Sequence, residues 1–232
     1  MPAGAGTTEH HFASFEDTVD GLVGCIHRFL KAQIESAGVA SLAVGGGTTP
    51  KHVFPRLAAT ALAWPSVHVS LTDERWVPPE NSESNEQLVR RDLLVDRAAR
   101  ANFNGMYVAD NGPAESNQDF LTRLADTPWP PDVVYLGFGA DSHVASLFPQ
   151  GPELSANHIG VVASTAPAPP TSRISLTLPA ILSSKSIVIC VSGPSKHEAY
   201  HRAKSDGSAR DLPLARILHQ DRAPVHVFID TE

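Results

Sequence analysis

The chain has 232 residues, of which 42% are hydrophobic and 19% are charged, as in a globular protein with one large α/β domain or two small ones. Its formal net charge of −7 argues against a basic face for nucleic acid or anionic membranes, although it allows a few cations gathered in a cleft. No apolar run is long enough to span a bilayer, and no signal peptide is visible. We therefore expect a cytoplasmic protein whose partners include neither nucleic acid nor membranes.

The beginning of the chain differs in composition from the rest. Its small and polar residues predict a disordered segment over residues 1–12, most clearly over residues 1–9. No internal repeat is present, and the proline-rich stretch 166–170 is too short to join two domains. We therefore expect residues 13–232 to form a single domain.

Two helices are predicted from the signals at their ends. Ser14 and Asp17 match a capping box, the apolar residues that follow recur at helical spacing, and Gly38 suits the helix end. Further on, Thr49 is placed to cap a second helix, and Pro50 fits its first position.

Apolar runs that alternate with helical segments indicate the fold class. Strands are predicted over residues 40–44, 67–71, 132–136, 159–163, 173–178, 186–191 and 225–229, with a weaker signal within 100–112. Further helices are predicted over residues 84–94, 115–125 and 195–203. This alternation predicts an α/β fold with a mostly parallel sheet and helices on both faces.

The cysteines give no sign of a disulfide framework or a metal site. Cys25 and Cys190 both lie in apolar runs, which predicts buried free thiols. One His-x-x-x-His pair occurs, His197 and His201, but no Cys and His set with usable spacing accompanies it, so we expect no bound metal ion.

Polar segments follow three of the predicted strands. Ligands of open α/β sheets bind outside the carboxyl ends of the strands, so we expect the three segments to converge on one site. The first, residues 45–50, reads Gly-Gly-Gly-Thr-Thr-Pro and precedes a helix, whose free N–H groups suit an anion such as phosphate. Thr48 and Thr49 add hydroxyl donors. The alternative is an ordinary β–α turn, since neither a Walker loop nor a dinucleotide fingerprint is matched.

The second segment, residues 72–76, reads Thr-Asp-Glu-Arg-Trp. A carboxylate such as that of Asp73 can direct a proton, and Arg75 can meet a phosphate or a developing oxyanion. The alternative is a surface cluster of ion pairs.

The third segment, residues 137–143, ends in Asp141-Ser-His143. A carboxylate two residues from a histidine at a strand end can orient the imidazole, which can then take a proton from water near neutral pH. Arg173 and Lys196 also lie near predicted strand or helix ends. Each is a surface charge when taken singly. Together they can join residues 45–50, the glycine loop, around a dianionic phosphate.

Five ordered blocks resemble the 6-phosphogluconolactonase family, from about residue 14 to the end of the chain. They are residues 45–50, residues 71–79 with Ser84 and Asn85, residues 136–149, residues 173–179 and residues 192–196. The resemblance implies a Rossmann-like sheet shared with glucosamine-6-phosphate deaminases and ribose-5-phosphate isomerases. It also implies hydrolysis of a sugar-phosphate lactone in the oxidative pentose phosphate pathway, without a metal or organic cofactor. A monomer or weak homodimer is expected.

The resemblance also assigns roles to residues at matching positions. Phosphate is expected at Gly46, Gly47, Thr48, Arg173 and Lys196, with Thr49 beside them, and the lactone near Asp73, Arg75, Asp141 and His143. Two positions depart from the family pattern. Thr48 replaces a serine and keeps its hydroxyl, whereas Ser142 replaces a glycine. If that position has a positive φ, Ser142 is strained, and this bears on the orientation of His143.

These observations support a single-displacement hydrolysis. His143, oriented by Asp141 or Asp73, deprotonates a water that attacks C1 of the lactone. Arg75 or backbone N–H groups stabilise the oxyanion, and His143 returns its proton to the ring oxygen. No Gly-x-Ser-x-Gly elbow is present, which disfavours an acyl-enzyme.

Two alternatives belong to other functional classes. A sugar-phosphate isomerase or aminosugar-phosphate deaminase would carry Asn-Glu-Pro where this chain has Leu147-Phe-Pro149, without a carboxylate. A non-catalytic sugar-phosphate sensor would usually include a DNA-binding segment, and no helix-turn-helix stretch is evident.

Overall fold

Ten strands and seven helices are formed by the residues that the computed structural model describes, namely residues 6–109, 111–205 and 211–231. The strands are β1 (Thr7–Phe12), β2 (Ala40–Val44), β3 (Val67–Leu71), β4 (Asp73–Arg75), β5 (Asn102–Asn104), β6 (Val133–Leu136), β7 (Val161–Thr165), β8 (Ser172–Leu176), β9 (Ser186–Val191) and β10 (Val225–Asp230). The helices are α1 (Phe15–Ala37), α2 (Pro50–Ala58), α3 (Asn85–Asp92), α4 (Ser116–Arg123), α5 (Leu178–Ile181), α6 (Pro194–Ser205) and α7 (Pro213–Leu218). Short 3₁₀ helices lie at Trp64–Ser66, Asp96–Arg100 and Pro152–Ser155.

The larger sheet has seven parallel strands in the order β1-β10-β9-β6-β2-β3-β5. Every residue of the central strands β2 and β6 is buried, as is typical of parallel strands covered on both faces. Because the strands are parallel, their carboxyl ends meet at one edge of the sheet. The predicted α/β fold with a mostly parallel sheet is confirmed.

A second, antiparallel sheet has the order β4-β8-β7 and was not predicted. Asp73–Arg75, expected as a polar segment after β3, is itself the strand β4. In its pairing with β8, Asp73 lies opposite Ser175 and Arg75 lies opposite Arg173. The small sheet therefore places β8 beside the carboxyl end of β3.

The predicted disorder of residues 1–12 is wrong for Thr7–Phe12, which form β1 at the edge of the large sheet. This strand pairs in parallel with β10. An edge strand gains its stability from backbone hydrogen bonds to one neighbour, so it tolerates polar side chains and lacks the apolar run by which strands are recognised. Residues 1–5 lie outside the described residues.

The ends of α1 are formed as predicted. The Asp17 N–H donates to Ser14 Oγ at 3.2 Å, and the Gly38 N–H donates to the Ile34 carbonyl at 2.8 Å with a Gly38 φ of 78°. At α2, Pro50 is in the first turn, but the predicted cap at Thr49 is wrong. Thr49 has helical angles (φ −58°, ψ −41°) and its side chain makes no capping bond, which needs an extended backbone.

Buried apolar side chains throughout the described residues form one hydrophobic cluster, and we propose on this basis that the chain is a single domain. Cys25 and Cys190 are free thiols as predicted; Cys25 is buried, whereas Cys190 is only partly buried. Burial, and then the nearby Asp230 carboxylate, raise the pKa of Cys190 to about 12. No helix in the described part of the chain is both long and apolar enough to cross a membrane.

Candidate active site

A cavity of about 460 Å³ lies where the carboxyl ends of β2, β3 and β6 meet. The three polar segments converge there, as predicted. The ten residues expected at the site all line the cavity: Gly46, Gly47, Thr48, Thr49, Asp73, Arg75, Asp141, His143, Arg173 and Lys196. The fold thus brings together residues from both sheets.

The glycine loop follows β2 and lies close to both β6 and α3. Its first residue, Gly45, donates its N–H to the Tyr135 carbonyl of β6 at 3.3 Å. At Gly46, a Cβ would lie 1.9 Å from Asn85 Oδ1, so a side chain there collides with α3. Gly47 has a φ of 119°, which favours glycine. The loop leads into the N-terminus of α2, where backbone N–H groups suit an anion.

Asp73 is buried beneath the cavity and both of its carboxylate oxygens are engaged. Thr72 Oγ1 donates to Asp73 Oδ1 at 3.0 Å, and Ser146 Oγ donates to Asp73 Oδ2 at 2.6 Å. The Asn85 Nδ2 group donates to the Asp73 backbone carbonyl at 2.8 Å. Asp73 is thereby fixed in place and does not contact His143 by a hydrogen bond.

His143 is paired with Asp141. Asp141 Oδ1 lies 2.6 Å from His143 Nδ1 and also accepts the His143 backbone N–H at 3.2 Å. The ring packs against Phe148, with centroids 5.0 Å apart. A proton on Nδ1 that is shared with a carboxylate leaves Nε2 as the basic nitrogen. Of the two carboxylates that the sequence allowed as its partner, the structure shows Asp141 in contact.

The turn that precedes His143 contains the strained residue that the sequence suggested. Ser142 has a φ of 72°, in the left-handed region that favours glycine, and it is fully buried. The turn is closed by the Ser142 N–H, which donates to the Gly139 carbonyl at 3.0 Å, and by the Gly139 N–H, which donates to the His143 carbonyl at 2.9 Å. The Asp141–His143 pair therefore forms even with a serine at this position.

Three cations line the cavity. Arg75 and Arg173 lie directly opposite each other across β4 and β8, so their side chains leave the small sheet on the same face. Burial, and then the charge of Arg75, lower the pKa of Arg173. Arg173 Nε donates to the Pro170 carbonyl at 2.7 Å, and Arg75 Nη1 donates to the Glu83 carbonyl. These bonds fix both guanidinium groups while leaving other N–H groups of each for a ligand.

The third cation, Lys196, comes from the first turn of α6. Its ammonium donates to the Phe138 carbonyl and lies 4.7 Å from the centroid of the Phe138 ring. Burial lowers the pKa of Lys196. An anion in the cavity would offset this desolvation, as it would the repulsion between the two arginines.

Glu74 supports the site and was not predicted. Its fully buried carboxylate accepts hydrogen bonds from Ser84 Oγ at 2.9 Å and from the N–H groups of Asn85 and Glu86 at 2.7 and 2.8 Å. Burial raises the pKa of Glu74, against the effect of these bonds. Glu74 thus holds the N-terminus of α3, and with it Asn85, against the glycine loop. The sequence signal that could have indicated this contact is Ser84, a residue type that often caps the N-terminus of a helix.

Within the described ranges, no three His, Cys, Asp or Glu side chains are grouped so that they could hold a metal ion. Cys190 and Tyr135 also line the cavity, but burial holds the pKa of each above its ordinary value, so both stay protonated near neutral pH.

The sequence matches the family described as glucosamine-6-phosphate isomerases/6-phosphogluconolactonase over residues 13–226. A relative named 6-phosphogluconolactonase from Caulobacter vibrioides is 39% identical over 94% of this chain and 94% of its own length. Another of that name, from Rhizobium meliloti, is 34% identical over 94% of this chain and 97% of its own length.

Solved structures give the same result. The crystal structure of a 6-phosphogluconolactonase from Shewanella baltica superposes with a TM-score of 0.91 at 32% identity, covering 99% of this chain and 100% of that one. A monomeric glucosamine-6-phosphate deaminase shares the fold, with a TM-score of 0.80 at 17% identity over 97% of this chain and 98% of that one. The chain belongs to the family of glucosamine-6-phosphate isomerases and 6-phosphogluconolactonases.

Proposed function

We propose that this protein hydrolyses 6-phospho-D-glucono-1,5-lactone to 6-phospho-D-gluconate in the oxidative pentose phosphate pathway. The observation that carries the proposal is one cavity with two groups of residues in its lining. They are His143, hydrogen-bonded to the Asp141 carboxylate, and the facing arginines Arg75 and Arg173. The first group of residues suits activation of water, and the second suits a phosphate. The relatives from Caulobacter vibrioides and Rhizobium meliloti, both named 6-phosphogluconolactonase, support this assignment.

In the proposed reaction, His143 acts as the general base. Its Nδ1–H is held by Asp141, so Nε2 takes a proton from a water molecule as the water oxygen bonds to C1 of the lactone. The imidazolium that forms is stabilised by the adjacent carboxylate, which keeps its own negative charge. No cofactor is invoked, because water supplies the nucleophile.

The tetrahedral intermediate then collapses. Its C1 oxygen carries a negative charge that Arg75 or backbone N–H groups of the cavity stabilise. The C1–O5 bond breaks as the carbonyl re-forms, and His143 returns its proton to the departing ring oxygen. Asp73, fixed by Thr72 and Ser146, positions the lactone from the floor of the cavity.

We assign the phosphate to the glycine loop, Arg173 and Lys196. Two like charges placed opposite each other on a sheet destabilise a protein, and the Arg75–Glu83 ion pair at 3.6 Å offsets this only in part, since burial and Arg75 still lower the pKa of Arg173. A ligand of opposite charge would complete the compensation. A phosphate dianion near Arg173 also accepts hydrogen bonds from Thr48, Thr49 and the backbone at the start of α2. The remote phosphate then supplies binding energy that orients the lactone at His143.

The isomerase or deaminase alternative is disfavoured by the residues that follow His143. Leu147 is fully buried and apolar, and no carboxylate stands beside it where those enzymes carry Asn-Glu-Pro. Glu153, the next acidic residue along the chain, is buried and accepts the Phe148 N–H at 2.9 Å. In the described part of the cavity, Asp73 and Asp141 are therefore not joined by a carboxylate at the position that those enzymes fill with Glu.

The proposal is tested by following hydrolysis of freshly prepared 6-phosphoglucono-δ-lactone beside the unphosphorylated lactone, each corrected for spontaneous hydrolysis. We expect kcat/KM to be higher for the phosphorylated lactone by about a hundredfold, because only that substrate has the phosphate. Equal values would contradict the phosphate assignment, and no rate above the spontaneous one would contradict the proposed activity.

The role of His143 is tested in the same assay. His143→Ala should lower kcat by about 10²- to 10⁴-fold, the usual effect of removing a general base. Its affinity for 6-phosphogluconate should stay within about threefold of wild type, since the phosphate contacts are retained. Near-normal turnover in this variant would exclude His143 as the base.

A further inference from the structure

We propose that Arg202 is a positioning residue that holds the His143 turn in its active shape, an inference that rests on the proposed function. Arg202 lies on α6, outside the set of residues that line the cavity. It acts through the two residues on either side of Asp141, namely Ala140 and Ser142.

The turn is held from α6 by hydrogen bonds on both sides of Asp141. Arg202 Nη2 donates to the Ala140 carbonyl at 2.8 Å and to Ser142 Oγ at 3.1 Å. From the next helix, the Leu214 N–H donates to the Ser142 carbonyl at 3.1 Å. The residue that orients His143 is thus flanked by two anchored positions.

The turn needs such support because its backbone is strained. Ser142 adopts a φ of 72° without being glycine, and a residue in that region relaxes unless its surroundings fix it. Among the described residues, the Asp141 carboxylate forms its hydrogen bonds with His143 and none with α6 or α7. Movement at Ala140 or Ser142 would therefore pass directly to the Asp141–His143 pair.

The serine at position 142 has a specific use in this arrangement. Its hydroxyl is fully buried, and among the described residues Arg202 is its hydrogen-bond partner. A glycine would adopt the same φ without strain but would leave Arg202 with one acceptor instead of two. The strained serine and Arg202 therefore form a pair, and their effects on turnover should be coupled.

The test compares Arg202→Met, Arg202→Lys, Ser142→Gly and the double variant Arg202→Met with Ser142→Gly. Arg222→Met is the control, because Arg222 Nη2 also donates to a serine hydroxyl, Ser183 Oγ at 3.0 Å, in an exposed bond between residues that do not line the cavity. Two quantities are measured: kcat and KM for 6-phosphoglucono-δ-lactone, and the tautomer of the His143 ring from ¹⁵N NMR.

We expect Arg202→Met to lower kcat about tenfold with KM within about twofold, since a small displacement of a catalytic group slows chemistry more than binding. Arg202→Lys should recover part of the loss. Ser142→Gly should lower kcat about threefold, and the double variant should match Arg202→Met, because the hydroxyl has no use without its donor. In Arg202→Met the ring should lose the pure Nδ1–H tautomer, whereas Arg222→Met should keep it.

An Arg202→Met protein with wild-type kcat and an unchanged tautomer would overturn the proposal, and so would single-variant losses that multiply in the double variant. If the wild-type protein fails to hydrolyse the lactone and Arg202→Met still changes the tautomer, the positioning role is supported and the proposed function is contradicted. If Arg202→Met does not fold, Arg202→Lys and Ser142→Gly give the same comparison.

Discussion

The Asp141–His143 pair packs directly against Gly139. A Cβ built at this position would lie 2.2 Å from His143 Nδ1 and 2.4 Å from Asp141 Oδ1. Real Cβ atoms do not approach other atoms this closely, so any side chain at Gly139 must displace the imidazole, the carboxylate or both. Glycine is thus needed at this position because the Asp141 and His143 side chains occupy the space of a Cβ, and not because of its φ angle.

We predict that Gly139→Ala lowers kcat by about a hundredfold, as expected when a catalytic group is misplaced by about 1 Å. Affinity for 6-phosphogluconate should change less, since the glycine loop and Arg173, to which we assign the phosphate, are on other segments of the cavity lining. Steady-state kinetics and calorimetric titration measure the two quantities separately.

Gly24→Ala serves as the matched control for Gly139→Ala. Gly24 lies inside α1, and nothing lies within 4 Å of an added Cβ. This variant should raise the unfolding free energy by about 0.5–1 kcal/mol through helix propensity and leave kcat unchanged. Near-wild-type kcat in Gly139→Ala would mean that the turn accommodates a side chain and that the packing of the pair is not limiting.

At the residue scale, the sequence predicts which side chains gather but not how they contact one another. The strand-end segments identify Asp73, Asp141 and His143 because strand ends are local features. That Ser146 holds Asp73, leaving Asp141 to His143, depends on a contact between residues 73 positions apart. Such long-range contacts follow from the tertiary fold and have no local pattern.

Among the elements, β1 illustrates how a strand without an apolar run is held. Glu9 of β1 accepts hydrogen bonds from Lys204 Nζ at 2.6 Å and from the Tyr200 hydroxyl, both on α6. These bonds lower the pKa of Glu9 from 4.5 to about 2, with the Lys204 bond as the largest cause and the Tyr200 bond next. β1 and α6 are therefore linked by polar contacts that the sequence pattern does not reveal.

The stability from Glu9 should depend on pH. Its folded pKa is about 2 and its unfolded pKa about 4.5, so the unfolded state binds more protons between these values. The contribution is therefore complete above pH 4.5 and is lost as pH falls toward 2. Because Lys204 is half exposed, we expect Glu9→Gln to lower the unfolding free energy at pH 7 by about 1–2 kcal/mol, less than the full shift implies.

Urea unfolding of wild type and Glu9→Gln at pH 7 and near pH 3 measures this contribution. The difference between the two proteins should shrink at the lower pH. Glu35→Gln is the control, since Glu35 forms only an exposed pair with Lys31 at 3.8 Å. A Glu9→Gln difference that is independent of pH would show that the pairing with Lys204 and Tyr200 does not act through the carboxylate charge.

The small antiparallel sheet was missed for a different reason. The strand β4 is three residues long and made of charged residues, so it has neither the length nor the alternation that indicates a strand. It forms because β8 supplies its hydrogen-bond partners across about a hundred residues of chain. The pairing is nevertheless what places Arg75 opposite Arg173 in the cavity.

On the scale of the whole molecule, charge is distributed unevenly. The chain has a formal net charge of −7, yet Arg75, Arg173 and Lys196 line one cavity. Burial lowers the pKa of both Arg173 and Lys196, which means that the free protein holds these cations at a cost. An anion that enters the cavity offsets this cost, so ligand binding and folding stability should be linked.

We predict that 6-phosphogluconate raises the melting temperature. At a concentration of about 100 times Kd, a ligand that binds only the folded state contributes about 2.7 kcal/mol, which corresponds to about 5–10 °C for a chain of this length. Gluconate at the same concentration should have little effect, because it lacks the phosphate.

The thermal shift should depend on the cavity cations and not on charge in general. Arg173→Met should reduce the 6-phosphogluconate shift at that ligand concentration to less than half, since the guanidinium is assigned to the phosphate. Arg91→Met changes the net charge equally, but Arg91 is exposed beside Asp92 and does not line the cavity, so it should keep the full shift. Equal loss in both variants would indicate a general charge effect, and a full shift in Arg173→Met would remove Arg173 from the phosphate site. A reduced shift in Arg173→Met alone would place the phosphate at Arg173 on β8, where the opposing charge of Arg75 makes an anion favourable.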